Sequence, residues 1–253
     1  MNESIPTPEH VDDAASEPIF ITGLAHTGKT ELRRVIERHP DVWMVRKSAM
    51  WDAVRDVEGL RRAADESARS AVGSGSGRWG LQQRGLERRA HVLLTVLPEA
   101  RIVHMVRDPL SVLAGSPPSL GRAGWALARW VTSAKSAARN ASREPERYRI
   151  VHCEWLAGDP GAAVRAVFDF LGLSVTSEVE DGLGTVRWER LGVVGREPRG
   201  LLDRLAVRHG PTLGYLVEAP PPLGPSVRGV VDVVSYVIGR VAGWTGERAV
   251  MRK

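Results

Sequence analysis

The sequence predicts an α/β protein built on a P-loop-like parallel sheet, with helices on both faces and a C-terminal appendage. Short apolar segments alternate with amphipathic ones, which is the pattern of a parallel sheet covered on both sides. The segment from Gly23 to Thr30 fits the phosphate-loop pattern G-x-x-x-x-G-K-[ST] letter for letter. A second apolar segment ends in Arg107-Asp108-Pro109, which is typical of a helix start beyond a strand.

The first strand is predicted at Ile19 to Ile21, and a helix at Thr30 to His39, where apolar residues recur on one face. Between them, Gly23 and Gly28 permit backbone conformations that a Cβ would hinder. Backbone N–H groups at such a helix start are unpaired, and the helix dipole adds positive charge there. Strand, loop and helix start therefore predict a phosphate site. Three side chains add further donors: Thr27, Lys29 and Thr30.

The other elements are predicted from hydrophobic periodicity. Strands are expected at 42–45, 100–106 and 148–153. Helices are expected at 48–65, 85–97, 110–114, 124–140, 161–171 and 201–209. Residues 73–77 and 174–200 are interpreted as loops, because glycines and polar residues dominate the first and no period runs through the second.

Both the Gly23–Thr30 loop and Arg107 follow the carboxyl end of a predicted strand. In parallel α/β sheets, ligands bind beyond these ends. The two features are therefore expected to contribute to one shared site.

Three regions are predicted along the 253 residues. Residues 1–17 are rich in Ser, Pro, Asp and Glu and are expected to form a flexible arm. Residues 18–216 form the α/β domain, and 217–253 a Pro-rich linker with a C-terminal packing segment. The valine-rich stretch 227–244 favours core or oligomer packing, with peripheral membrane contact as the alternative.

The composition restricts the binding partners and the cellular compartment that are expected for this protein. The net charge is +5, and only four of the 35 Lys and Arg residues are Lys. Arginine suits bidentate recognition of phosphate or sulfate, although a general bias towards arginine explains the excess equally well. No dense basic run or zinc-finger spacing favours a nucleic-acid partner. A single cysteine, an acidic start without a signal peptide and the lack of an apolar run of about 18 residues are compatible with a cytoplasmic protein.

Several motifs together resemble the PAPS-dependent sulfotransferases, specifically the bacterial branch that opens with PIFIxGxxRSGTTxLRxxLxxHPD. The resemblance covers about residues 18–216 and includes the order and spacing of its motifs. It is strongest in PIFITGLAHTGKTELRRVIERHPDV, LPEARIVHMVRDP, WALARWVTSAKSAARN with the later YRIVHCEWLAGDP, and VFDFLGL.

The resemblance implies a P-loop-like α/β fold and transfer of a sulfuryl group from 3′-phosphoadenosine 5′-phosphosulfate (PAPS). The products are a sulfated hydroxyl or amine and adenosine 3′,5′-bisphosphate (PAP). It implies that the first loop holds the 5′-phosphosulfate through Ala25, His26, Thr27, Gly28, Lys29 and Thr30. It further implies that the 3′-phosphate is held by Arg107, by Ser116 with Ser111 in reserve, and by Gly195 and Arg196.

Two departures from the family pattern concern the chemistry. His26 stands where relatives have Arg or Lys before Ser-Gly, and Lys29 where they have Thr. We expect Lys29 to stabilise the leaving group, with three alternatives open for His26: assistance to Lys29, general base, or a plain loop residue. Leu81 replaces the acidic residue that relatives offer for proton abstraction. The base is therefore unassigned among Glu87, His104, Glu154 and His26.

Two other functions stay open. A P-loop kinase or NTPase would use ATP·Mg²⁺, with Thr30 and Asp108 as the metal-binding candidates. A degenerate relative would bind PAP without catalysing transfer. The acceptor is expected to be a small molecule, lipid or glycan, because tryptophans occur in the segments expected to shape its pocket.

Overall fold

The computed structural model describes residues 17–45, 56–108, 111–112 and 120–188, with backbone alone for 120–128. Several predictions lie outside the described residues. These are the arm apart from Glu17, most of the stretch at 110–114, the helix at 201–209, the C-terminal segment, Ser116, Gly195 and Arg196.

The described residues form a parallel five-stranded sheet in the order β2-β3-β1-β4-β5. The strands are β1 (Ile19–Gly23), β2 (Val42–Val45), β3 (Arg78–Gln82), β4 (Arg101–Val106) and β5 (Tyr148–His152). β1 lies in the middle, between β3 and β4, and each of its five residues is buried. The α/β fold with a parallel sheet is confirmed.

Helices cover both faces of the sheet. They are α1 (Lys29–Ile36), α2 (Val57–Gly73), α3 (Ala90–Val96), α4 (Leu120–Arg143), α5 (Cys153–Gly158), α6 (Pro160–Leu171) and α7 (Ser177–Thr185), with a 3-10 helix at Leu86–Arg88. None of the helices in the described ranges has an apolar stretch of the length that a membrane crossing needs.

Alternate residues of β1 enter two different cores, as the two-residue period of a strand requires. Ile19 and Ile21 pack with residues of α1, α5, α6 and α7. Phe20 packs on the other face with residues of α2, α3 and α4, and its ring meets that of Trp79 edge-on at 5.5 Å. The apolar character of β1 therefore reflects burial on both sides.

β3 was not predicted as a strand, because its sequence RWGLQ carries a central glycine and lies beside a glycine-rich turn. The structure explains that glycine. A Cβ on Gly80 would lie 2.4 Å from Met44 Sδ and 3.2 Å from Ile19 O. Glycine is needed here so that β2 and β1 can approach β3 closely.

Three further expectations need correction. The segment 174–200 is not mainly loop where it is described, because α7 occupies Ser177–Thr185 and buries Val179. α2 runs to Gly73, beyond the predicted end at 65. The helix expected at 85–97 is divided into the 3-10 helix and α3, where Arg89 leaves helical geometry.

The topology fixes the position of the site. β1 and β4 are neighbours, with Gly23 paired to Met105. The loop after β1 and the residues after β4 therefore emerge side by side at one edge of the sheet, which is the arrangement expected from the sequence.

We expect Gly23→Ala to lower the free energy of unfolding by about 2 kcal/mol or more, because a Cβ would lie 2.3 Å from Met105 O and the residue has φ 130°. Gly73→Ala is the matched control, since a Cβ at this helix end meets nothing within 4 Å. Urea denaturation monitored by circular dichroism measures both. Equal midpoints for the two variants would contradict the prediction.

Candidate phosphate-binding site

The loop between β1 and α1 has an unusual backbone. His26 adopts φ 62°, a left-handed conformation found at no other non-glycine residue in the described ranges. Gly28 caps α1 with φ 80°. Thr27 Oγ1 donates to Leu24 O at 2.9 Å and closes the loop on itself. Left-handed residues before a helix turn the backbone N–H groups towards a common centre, which is how such loops bind anions.

Lys29, the first residue of α1, has a buried side chain that is only 5% exposed. Its Nζ donates to Leu24 O and lies 3.4 Å from Thr27 Oγ1, so the ammonium is folded into the loop. Burial lowers the pKa of Lys29 from 10.5 to about 8, and the nearby Arg84 acts in the same direction. The loop thus contains a cation that is costly to keep charged without an anion.

Arg107 connects this loop to the end of β4. Its Nη1 donates to His26 O at 3.0 Å, and the residue is largely buried. Trp130 of α4 fixes the Arg107 backbone, since its Nε1 donates to Arg107 O at 2.9 Å. The guanidinium of Arg107 and the tip of the loop are therefore in direct contact.

The residues after Arg107 are held by hydrogen bonds of their own. Asp108 Oδ2 accepts from Ser111 N at 2.7 Å, so this carboxylate caps the turn that follows. Asp108 N donates to Glu154 Oε1 at 2.7 Å, which links the ends of β4 and β5. Burial raises the pKa of Glu154, and repulsion from the Asp108 carboxylate adds to the effect.

A buried polar cluster lies behind the loop. Glu87 Oε2 accepts from Thr22 Oγ1 at 3.0 Å, and Oε1 from Ser133 Oγ at 2.8 Å. Asn140 Nδ2 donates to Glu87 O at 2.7 Å. The cluster continues to His104, whose Nδ1 lies 2.8 Å from the Tyr148 hydroxyl.

The structure separates the four candidate bases. Glu87 and His104 are buried at 4% and 1% exposure, so an acceptor molecule cannot reach them. Glu154 lies beyond β5 and holds Asp108 N. His26 has an exposed side chain on the loop itself. Leu81, at the position of the missing acidic residue, packs into the core with Trp79.

The predicted site residues that are described lie together. Residues 25–30 form the loop and first turn of α1, Arg107 contacts that loop, and Ser111 follows one turn later with its side chain buried.

Sequence reasoning missed the partners of Glu87. Thr22 is a hydroxyl residue within an otherwise apolar strand. Ser133 and Asn140 are seven residues apart and therefore share one face of α4. Both features are visible in the sequence, but neither indicates that these side chains bond to Glu87.

The sequence match to a known family covers the part of this site that follows the phosphate loop in the chain. Residues 85–177 match the sequence model described as the sulfotransferase family. The matched segment includes Glu87, His104, Arg107 and Glu154, whereas the Gly23–Thr30 loop precedes it. No curated protein matches the chain.

Solved sulfotransferase structures extend the comparison of the fold beyond residues 85–177. The sulfotransferase domain of the Synechococcus PCC 7002 olefin synthase is 18% identical with a TM-score of 0.51, covering 92% of this chain and 98% of its own. The Alicyclobacillus acidocaldarius sulfotransferase is 19% identical with a TM-score of 0.52, covering 79% and 94%. Sulfotransferase STF9 from Mycobacterium avium is 15% identical with a TM-score of 0.52, covering 84% and 80%. At these identities the likeness shows that the chain shares the α/β fold of these proteins.

We expect Lys29→Met to raise the free energy of unfolding at pH 7 by about 2 kcal/mol, because it removes a buried ammonium that folding makes less basic. The pKa of Lys29 is 10.5 in the unfolded chain and about 8 in the folded protein, so the unfolded chain binds the ammonium proton more tightly. The free energy of unfolding of the wild type should therefore rise between pH 8 and pH 10.5. The extra stability of Lys29→Met over the wild type should shrink over the same range.

Denaturation of both proteins at pH 7, 9 and 10.5 measures this difference. A variant that is less stable than the wild type at pH 7, or a difference that does not depend on pH, would show that Lys29 is not a buried cation.

Proposed function

We propose that this protein is a PAPS-dependent sulfotransferase that transfers a sulfuryl group to a hydroxyl or amine of a small-molecule, lipid or glycan acceptor. The observation that supports this most is the hydrogen bond between Arg107 and the carbonyl of His26. It puts a buried guanidinium beside an amide-rich loop, which are the two kinds of group that a nucleotide with two separated phosphates would need.

The residues present suit such a nucleotide. The loop from Ala25 to Thr30 would hold the 5′-phosphosulfate through its backbone N–H groups and the hydroxyl of Thr30, which is exposed at the start of α1. Arg107 would hold the 3′-phosphate, for which a planar guanidinium is well suited. Ser116 or Ser111, together with Gly195 and Arg196, completes the proposed set; of these, only Ser111 is described.

The chemistry that PAPS supplies is in-line sulfuryl transfer, which leaves negative charge on the 5′-phosphate oxygen. Lys29 would turn its ammonium from Leu24 O towards that oxygen, where charge grows in the transition state. His26 is placed at the loop tip, where it would take the proton of the acceptor or assist Lys29.

The kinase alternative needs a carboxylate for Mg²⁺, and Asp108 was its candidate. Asp108 Oδ2 instead accepts from Ser111 N, and its neighbour Arg107 presents a cation at the same turn. This arrangement suits an anionic phosphate better than a metal ion, and it is the reason to prefer sulfuryl transfer.

Isothermal titration calorimetry with PAP and with ATP·Mg²⁺ tests the donor. We expect PAP to bind and ATP·Mg²⁺ to bind at least tenfold more weakly; the reverse order would favour a kinase or NTPase. Transfer of labelled sulfate from PAPS into a cell extract then tests catalysis and identifies the acceptor. PAP binding without transfer to any acceptor would favour the non-catalytic relative.

We expect Arg107→Gln to weaken PAP binding by about 100-fold, because a charge-assisted contact to the 3′-phosphate contributes about 1.5–3 kcal/mol. Binding of 5′-AMP, which has no 3′-phosphate, should change by less than about threefold. Arg165→Gln, an exposed arginine of α6, is the control and should bind both ligands normally. Equal losses for PAP and 5′-AMP would show that Arg107 only shapes the loop.

We expect Lys29→Met to reduce sulfuryl transfer by at least 1,000-fold while the protein stays folded, because the leaving oxygen loses its only buried loop cation. The measurement is the rate of PAP formation from PAPS with a saturating acceptor. A variant that retains more than a tenth of the wild-type rate would remove Lys29 from the mechanism.

A further inference from the structure

Helix α4 is connected by hydrogen bonds to both segments that form the candidate phosphate site. At the end of β4, Trp130 Nε1 donates to Arg107 O at 2.9 Å. One turn further along α4, Ser133 Oγ donates to Glu87 Oε1 at 2.8 Å. The second carboxylate oxygen, Glu87 Oε2, accepts at 3.0 Å from Oγ1 of Thr22, the last residue before the phosphate loop. A series of hydrogen bonds therefore runs from the start of the loop to the helix that holds Arg107.

We propose that Glu87 is a positioning residue, which ties the start of the phosphate loop to α4 and thereby fixes the loop relative to Arg107. Thr22, Glu87 and Ser133 together form what is called here the Glu87 bridge. Glu87 is only 4% exposed, so it acts through Thr22 and not on a substrate. The consequence for substrates rests on the nucleotide binding proposed above, whereas the anchoring of the loop is measurable without a ligand.

The Glu87 bridge lies entirely inside the protein, since Thr22, Glu87 and Ser133 are all buried. Water cannot replace a partner that is lost in such a place, and a buried polar group without a hydrogen bond is costly. The arrangement in which each carboxylate oxygen keeps its hydroxyl donor is therefore strongly favoured over any in which the loop moves away from α4.

Glu87 is fixed to α4 at two points. Besides the bond from Ser133 to its carboxylate, Asn140 Nδ2 donates to its backbone carbonyl at 2.7 Å. Ser133 and Asn140 are seven residues apart and lie on one face of the helix. A shift of Glu87 along α4 would break both bonds, so the carboxylate presents a fixed acceptor to Thr22.

The ionised form of Glu87 suits this role. Burial alone would raise its pKa, but the positive form of His104 and hydrogen bonds from the Glu87 backbone, Ser133 and Thr22 outweigh that effect and lower it. An ionised carboxylate only accepts hydrogen bonds, and the two hydroxyls both donate to it. Hydrogen bonds to a charged acceptor are stronger than those between neutral groups.

The loop needs such an anchor. The backbone pairing of β1 with β4 ends at Gly23 and Met105, and the loop then passes through the left-handed residue His26. Backbone conformations of this kind persist where the surrounding structure holds them. Groups that bind one rigid ligand at two points must also keep their separation, to within about 0.5 Å. The Glu87 bridge fixes one side of this separation, and the bond from Trp130 to Arg107 O fixes the other.

The accessibility of Lys29 measures the anchoring without any ligand. Its ammonium is folded into the loop, so a reagent reaches it when the loop opens. Cleavage after arginine leaves Lys29 as the one lysine in the peptide of residues 1–33. Its rate of trace acetylation at a fixed pH is then read by mass spectrometry.

Ser133→Ala removes a donor from α4 without touching the loop. We expect it to raise the acetylation rate of Lys29 by about fivefold, because the loop opens locally once its anchor is weakened. Ser67→Ala is the matched control: Ser67 is also a buried helix serine, but its Oγ donates to Ala63 O within α2. This control should leave the rate unchanged. Circular dichroism checks that both variants are folded, and Thr22→Val tests the same bridge from its other end.

Two substitutions of Glu87 separate bridging from charge. In Glu87→Gln, the amide oxygen accepts from one hydroxyl and the amide nitrogen donates to the other, so the bridge is kept. Glu87→Met has a similar length but can make neither bond. We expect the Lys29 rate in Glu87→Gln to stay within about twofold of the wild type and that in Glu87→Met to rise at least as much as in Ser133→Ala. Equal effects of Gln and Met would contradict a bridge.

Nucleotide binding tests whether the bridge sets the separation between the loop and Arg107. Ser133→Ala should weaken PAP binding by about tenfold and 5′-AMP binding by less than about threefold, because only PAP needs both groups in register. Thr22→Val should behave alike, and the double variant should lose little more than either single variant, since both act on one carboxylate. Calorimetry measures all three. Equal losses for PAP and 5′-AMP, or additive losses in the double variant, would contradict the proposed role.

The outcomes separate the two proposals. If the Lys29 rate is unchanged in folded Ser133→Ala and Thr22→Val while wild-type protein binds PAP, the role of Glu87 is wrong and the proposed function stands. If wild-type protein binds no PAP while the Lys29 rate still rises and Glu87→Gln still preserves the bridge, the proposed function is wrong and Glu87 remains the anchor of the loop.

Discussion

The candidate site depends on one hydrogen bond between two segments that are 81 residues apart, from Arg107 Nη1 to His26 O. It joins the loop after β1 to the residues after β4. His26, whose carbonyl accepts it, has a left-handed backbone, which is normally avoided by residues with a side chain. The strain of the loop and the position of the guanidinium are therefore parts of the same arrangement.

The second feature of the site is buried charge. Lys29 is less basic than usual because of its burial, and Glu87 is ionised although it is buried. Burial of charged groups reduces stability unless they are paired. Such groups persist at sites where an electrostatic task needs them, and the proposed stabilisation of a leaving phosphate would be a task of that kind.

The two departures from the sulfotransferase pattern that the sequence resembles have different structural settings. At Leu81, the chain has a core residue of β3, packed beside Trp79, so no proton acceptor is available at that position. At Lys29, the chain has a cation at the start of α1, and its ammonium donates to Leu24 O. The same loop carries the exposed imidazole of His26, three residues before Lys29.

The sequence alone determined the strand, glycine loop and helix around residues 19–36, because burial on both faces and the geometry of the loop each leave a local pattern of residue types. It also placed Arg107 after a strand. It missed β3, whose glycine is explained by the close approach of Met44 and Ile19, and it named Glu87 without its hydrogen-bond partners. Tertiary structure decided these, since the contacts of Glu87 with Thr22 and Ser133 join residues 65 and 46 positions apart. Periodicity reports which face of an element is buried, but only the packed fold determines which polar groups meet there.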